Sequence, residues 1–124
     1  MSYEVHLSGD ISIPKRNTTK ATGALKNLVK KLAKNNKNDY GTAPEILKDK
    51  DAGYILEYLG FDTETDVKGN LHILSYNNYE YDSQDILRAI APYALKKSVM
   101  NGCGEDGRMW KWVFKTGQME YKNI

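Results

Sequence analysis

The segment Met109-Trp110-Lys111-Trp112-Val113-Phe114-Lys115 constrains the fold more than any other stretch of the chain. Period-two alternation sends Trp110, Trp112 and Phe114 to one face of a strand and Lys111, Val113 and Lys115 to the other. Three large rings on one face need cover, while the lysine face tolerates water, so the chain must build a sheet with one covered face. A turn follows at Thr116-Gly117 and leads into a last strand from Gln118 to Tyr121. Before it, a strand over Ser98–Cys103 runs into Gly104-Glu105-Asp106-Gly107, whose glycines suit the positive φ of a hairpin and whose acids read as solvated.

The covering layer is legible as helices. Ala21, Leu25, Leu28, Val29 and Leu32 fall within one arc at about 100° per residue, which predicts a helix from a cap at Thr18 or Thr19 to about Lys34. Thr42-Ala43-Pro44-Glu45 has capping-box spacing with proline in a first turn. A second helical stretch follows, broken near Asp51, with Ile55, Leu56, Tyr58 and Leu59 inward and Gly60 as a stop. Asp82 or Ser83 caps another helix with Ile86, Leu87, Ile90 and Ala94 on its inner stripe, shortened by Pro92.

Strands fill the remainder. Tyr3, Val5 and Leu7 alternate with polar neighbours, and Ile11 and Ile13 resume the pattern after Gly9-Asp10. Phe61–Val67, a Lys68-Gly69-Asn70 turn, Leu71–Tyr76, then Asn77-Asn78 and a short Tyr79-Glu80-Tyr81 read as a β-meander. The order of strand, helices, strands, helix, strands predicts an α+β fold: an antiparallel sheet with helices packed on one face, a ferredoxin-like sandwich. With 124 residues, 40% hydrophobic and 27% charged, a single domain spanning 1–124 is expected.

Several chemistries find no support in the sequence. Cys103 is the sole cysteine, so no intrachain disulfide is possible, and no apolar run has the length of a signal peptide or a membrane span. A cytoplasmic protein without a membrane partner is expected. There is no phosphate-binding loop, dinucleotide fingerprint, zinc spacing or nucleophile elbow, and no cofactor or metal is expected. Cys103 with His6 or His72 can in principle pair a nucleophile with a base, but no Ser, Asn or Asp partner stands out along the chain. These residues read as an ordinary thiol and surface histidines, and the chain does not read as an enzyme.

Charge is divided. Lys15, Arg16, Lys20, Lys26, Lys30, Lys31, Lys34 and Lys37 supply eight cations between positions 15 and 37 with no acid among them, leaving ten cations against sixteen acids elsewhere. Lys26, Lys30, Lys34 and Lys37 recur every three or four residues, so together with Lys20 and Lys31 they form the candidate binding row. Such a row is either a solvated helix face or a track for phosphate or an acidic protein surface. Asp62, Glu64, Asp66, Glu80, Asp82 and Asp85 are the secondary candidates, an acidic surface that can mimic nucleic acid against a basic groove. Trp110, Trp112 and Phe114 suit core packing better than base stacking, because Lys111 and Lys115 lie on the opposite face.

Asp85-Ile86-Leu87-Arg88-Ala89-Ile90-Ala91-Pro92-Tyr93, then Gly104-Glu105-Asp106-Gly107, Trp110-Lys111-Trp112-Val113-Phe114 and Gly117 carry a resemblance over about the last third of the chain. This text resembles small proteins encoded by bacterial phages, plasmids and prophages, including some with a YubB-like ferredoxin fold. The resemblance implies a small, non-enzymatic accessory protein of a mobile element. Proteins of that kind include inhibitors of host defence, anti-CRISPR proteins among them, which act by occupying a surface on an effector. A host protein or ribonucleoprotein effector is then the expected partner, and DNA or RNA phosphate, met directly by the Lys-rich helix, is the alternative.

Overall fold

A computed structural model describes residues 3–35, 40–79 and 82–123; Lys37 and Glu80, both candidates above, lie outside the described residues, as does Tyr81. The chain forms β1 (Glu4–Ile13), α1 (Thr18–Asn35), α2 (Ala43–Ile46), α3 (Ala52–Tyr58), β2 (Phe61–Thr65) and β3 (Leu71–Tyr79). It continues through α4 (Ser83–Ile90), β4 (Val99–Gly104), β5 (Met109–Lys115) and β6 (Gln118–Asn123). The strands make one open six-stranded antiparallel sheet in the order β2-β3-β1-β4-β5-β6. The α+β architecture read from the sequence is the one observed.

β1 sits at the centre because it alternates cleanly and has two long partners. Val5, Leu7, Ile11 and Ile13 face inward and are at most 3% exposed. Its ladder with β3 slips between Ser8 and Ile11, and the ladder of β2 with β3 slips between Asp62 and Thr63. The slips rephase β3, so that Leu71, Ile73 and Tyr76 all reach the core despite their uneven spacing. Gly9 lies at the slip because backbone of β4 passes there: a Cβ on it would stand 2.1 Å from the Val99 carbonyl oxygen.

The helices cover one face only. α1 packs on α2, α3 and α4, α3 lies against β2, and α4 with the short 3-10 turn after it lies against β6. Ala21, Leu25 and Val29 of α1 join Ile55 and Leu56 of α3, Leu87 and Ile90 of α4 and the inward strand residues in one continuous buried cluster. Each fully buried aliphatic side chain there contributes roughly 1.5–3 kcal/mol relative to exposure.

Several local expectations are corrected. Thr18 does not cap α1; a 3-10 turn over Lys15–Asn17 leads into the helix, and the Thr18 hydroxyl donates to the Lys15 carbonyl at 2.8 Å. The capping-box segment makes only the single turn α2, and Thr42 makes no side-chain cap, whereas Asp51 does cap α3 by accepting from the Tyr54 N–H at 3.0 Å. Tyr58 points to solvent instead of inward. Gly60 ends α3 with φ +104, as its position suggested. β3 runs through Asn77 and Asn78 without a break, because Glu4, Val5 and His6 of β1 pair with that segment and tertiary pairing overrides the turn preference of asparagine. α4 ends at Ile90, and Ala94 lies beyond it.

Candidate functional site

The lysines of α1 are brought together as the spacing predicted. Ala21, Leu25, Val29 and Ala33 are buried, and Lys20, Lys30, Lys31 and Lys34 lie exposed around the opposite arc with Gly23 and Asn27. None of these four lysines is ion-paired among the described residues. Lys26 is different: it is half-buried, and its Nζ donates to the Lys48 carbonyl at 2.7 Å, tying α1 to the segment after α2. Its ammonium serves the fold.

The acidic candidates do not form one surface. Asp62 and Glu64 are exposed on edge strand β2, and Asp62 accepts from the Ser75 hydroxyl at 2.6 Å. Asp82 and Asp85 belong to the helix layer, where Asp82 accepts from the Tyr40 hydroxyl at 2.6 Å. Asp66 holds the turn between β2 and β3, its carboxylate accepting the N–H groups of Lys68 and Asn70 at 2.9 and 3.0 Å.

Asp66 also anchors an arrangement that the sequence did not reveal. His72 Nε2 lies 2.9 Å from Asp66 and Nδ1 lies 2.9 Å from Asp10, while Ser12 Oγ stands 3.1 Å from Nδ1 and donates to Asp10 at 3.2 Å. The hydrogen bond to Asp66, followed by that to Asp10, raises the His72 pKa above the ordinary imidazole value, and the same bond pulls Asp66 well below the usual carboxylate range. An imidazole that donates from both nitrogens is a cation and has no lone pair for base chemistry. This group clamps the β1 slip to the β2–β3 turn. It became legible only once the ladder put Ser12 opposite His72.

His6 has a different setting. It is the register partner of Asn77 on β3 and of Cys103 on β4, and its Nδ1 lies 2.7 Å from Asn77 Oδ1. Nucleophile, imidazole and orienting amide thus share a row across three strands. The Cys103 thiol is turned to the Gly104 carbonyl, 3.7 Å away, and makes no hydrogen bond to His6. The row also lies on the face of the sheet without helices. No group of three or more His, Cys, Asp or Glu among the described residues is arranged to hold a metal ion.

The β4–β5 hairpin is anchored more firmly than solvated acids would allow. Glu105 accepts the Glu4 N–H at 3.1 Å, and Asp106 accepts the Tyr3 hydroxyl and the Arg108 N–H. The Tyr3 bond holds the Asp106 carboxyl below its ordinary pKa. Gly107 has φ +84 as a hairpin glycine should, but Gly104 is a strand residue required for another reason: a Cβ there would collide with the Tyr3 hydroxyl.

Trp110 and Trp112 are each 7% exposed and Phe114 is fully buried, in keeping with a packing role. The two indoles nonetheless reach a cleft of about 350 Å³ between α4 and the β5–β6 end of the sheet, which Arg88, Arg108, Gln84 and Tyr121 also line. Sequence reading missed this site. A usable signal was present: the chain has fifteen lysines and three arginines, and two of the three arginines stand at this cleft. Among the described residues, no helix is long and apolar enough to cross a membrane. No known family, curated protein or solved structure matches the chain.

Proposed function

We propose that this chain is a small non-enzymatic binding protein of a phage or other mobile element that inhibits a host defence system by occupying a surface of its target. The observation that carries the binding role is the outer face of α1, where Lys20, Lys30, Lys31 and Lys34 are exposed without an acidic neighbour on the same arc. Four ammonium groups in no direct ion pair among the described residues, of which only Lys31 shares a concavity with acids, Asp82 and Asp85, raise a positive potential that steers and orients an acidic protein or ribonucleoprotein surface. The setting in the host cytoplasm and the anti-CRISPR type of action rest on the resemblance of the C-terminal third.

The order of the elements supports the ferredoxin-like reading of the fold. β1, α1, β2, β3, α4 and β4 follow the split β-α-β order of a ferredoxin-like sandwich, with the strands arranged β2-β3-β1-β4 and extended by β5 and β6. On this reading the inhibitor core is a ferredoxin-like unit, and its C-terminal meander is an addition to one edge.

The test compares three tagged forms expressed in bacterial cells, cross-linked and captured: the parental chain, Lys20→Glu/Lys30→Glu/Lys34→Glu, and Asp62→Lys/Glu64→Lys. The lysine variant is expected to lose the captured partner and the β2 variant to keep it. Full retention by the lysine variant overturns the assignment of the α1 face. The same exposed lysines favour one second reading, direct binding of DNA or RNA phosphate. It requires that purified protein retard nucleic acid with an affinity that falls steeply with salt, and it fails if no retardation appears at low salt.

A further inference from the structure

We infer that the cleft between α4 and the β5–β6 end of the sheet binds a small anion carrying a flat ring, the chemistry of a nucleoside monophosphate. The inference is independent of the α1 lysine face. The cleft holds about 350 Å³, within the range of small-molecule sites, and no Asp or Glu lines it. Arg88 reaches it from α4 and Arg108 from the start of β5, and neither guanidinium is ion-paired among the described residues. Two guanidinium forks in one concavity, neither in a direct ion pair among those residues, suit the several oxygens of a phosphate far better than a neutral ligand.

Both forks are held in place. The Gln84 amide, with its oxygen turned toward Arg88, accepts from that guanidinium at 2.8 Å. The Arg108 guanidinium lies over the rings of Tyr3 and Trp110, 5.6 and 5.8 Å from their centroids. Arg108 also feels the Asp106 carboxylate, but makes no direct ion pair with it; that carboxylate accepts from the Tyr3 hydroxyl and the Arg108 backbone N–H. Pre-positioned donors lose little conformational freedom on binding.

Aromatic surface supplies the other half of the recognition. Tyr121, 45% exposed, meets Trp112 edge-on with centroids 5.1 Å apart, and the exposed rims of Trp110 and Trp112 complete the wall. A planar base can lie on Tyr121 while its phosphate meets the arginines, a combination that an isolated phosphate or an uncharged nucleoside satisfies only in part.

The chain's two tryptophans both border the cleft, so their emission reports on it directly. Titrating the purified protein with AMP, GMP, CMP and UMP is expected to give saturable quenching with at least one of them. Adenosine and ribose 5-phosphate should bind roughly tenfold or more weakly, as should that nucleotide to Arg88→Gln/Arg108→Gln, whose unchanged melting temperature would exclude misfolding. Lys111→Gln on the opposite face and the charge-reversed α1 variant should bind the nucleotide as the parental chain does. Absence of saturable quenching with all four nucleotides overturns the inference. So does equal affinity for ribose 5-phosphate, or parental affinity in a folded double-arginine variant.

Discussion

The two ends of the sheet solve the same burial problem differently. At the β2–β3–β1 end, Leu71, Ile73, Ile11 and Ile13 meet the helix layer, whose Leu25, Ile55 and Leu56 supply the facing side, and all are at most 4% exposed. At the β5–β6 end α4 and the 3-10 turn cover the sheet only in part, and Tyr121 meets Trp112 edge-on. Aliphatic side chains dominate where the second layer is continuous, joined there by the packed rings of Phe61 and Tyr76. Where the layer is partial, large amphipathic rings are needed, and their incomplete closure leaves a cleft with arginines at its rim. Both ends carry ligand-sized clefts, but the one beside α3 and β2 is lined by Asp51, Glu57 and Glu64, whereas the one at the β5–β6 end is lined by two arginines and no acid.

Truncation should expose the contrast most strongly. Leu25→Ala at the β2–β3–β1 end is expected to cost about 2–5 kcal/mol, read from urea unfolding, while Met119→Ala under the overhanging β6 should cost only about 1 kcal/mol. Equal losses would mean that the two ends are packed alike. Glycine substitutions probe the same difference with opposite signs. A Cβ at Gly102 would stand 2.3 Å from Trp110 Cε2. Gly102→Ala should therefore cost about 1–3 kcal/mol and shift tryptophan emission. Gly23, on the exposed arc of α1, has nothing within 4 Å of its missing Cβ, and Gly23→Ala should stabilise by about 0.4–1 kcal/mol.

The His72 clamp predicts a pH signature confined to the β1–β3 side. His72 has a folded pKa above its ordinary 6.5, so its contribution is full below that value and is lost as pH rises through the folded pKa. Asp66 has a folded pKa below its ordinary 3.8, so its contribution is full above that value and is lost as pH falls through the folded pKa. Urea midpoints should therefore peak between the two ordinary values, and His72→Asn should flatten the peak. An unchanged pH profile in that variant would remove the clamp from the account. The smallest effect is expected at the α1 surface: Lys20→Glu/Lys30→Glu/Lys34→Glu should leave stability within about 0.5 kcal/mol per site, measured by thermal melting.

Features governed by local periodicity were legible in the sequence. The inward set of β5 and the burial of Ala21, Leu25 and Val29 on α1 followed directly from spacing, because side-chain direction in a regular element is fixed by its period; Leu28 and Leu32, expected inward, are only half-buried, and Ala33 is buried instead. The exposure of Lys20, Lys30, Lys31 and Lys34 followed likewise, whereas Lys37 lies outside the described residues and the role of Lys26 depends on where the Lys48 carbonyl lies. Features that depend on long-range register were hidden. Neither the passage of β3 through Asn77 and Asn78, nor the meeting of Asp10, Ser12, Asp66 and His72, nor the meeting of Arg88 with Arg108 has a local signature. Each follows from strands that are neighbours in space and distant along the chain.

The central position of β1 has a kinetic consequence. Its two ladders join residues 4–13 to residues 71–79 and 99–104, so neither can close until most of the intervening chain is in place. Contacts of such separation carry a large loop-closure entropy, which makes folding slow relative to a helical protein of this length. During synthesis, α1 to α3 emerge and collapse while β1 still has both edges open, and the polar residues of β1, among them Glu4, His6, Ser8 and Asp10, then keep that unpaired strand from finding a copy of itself.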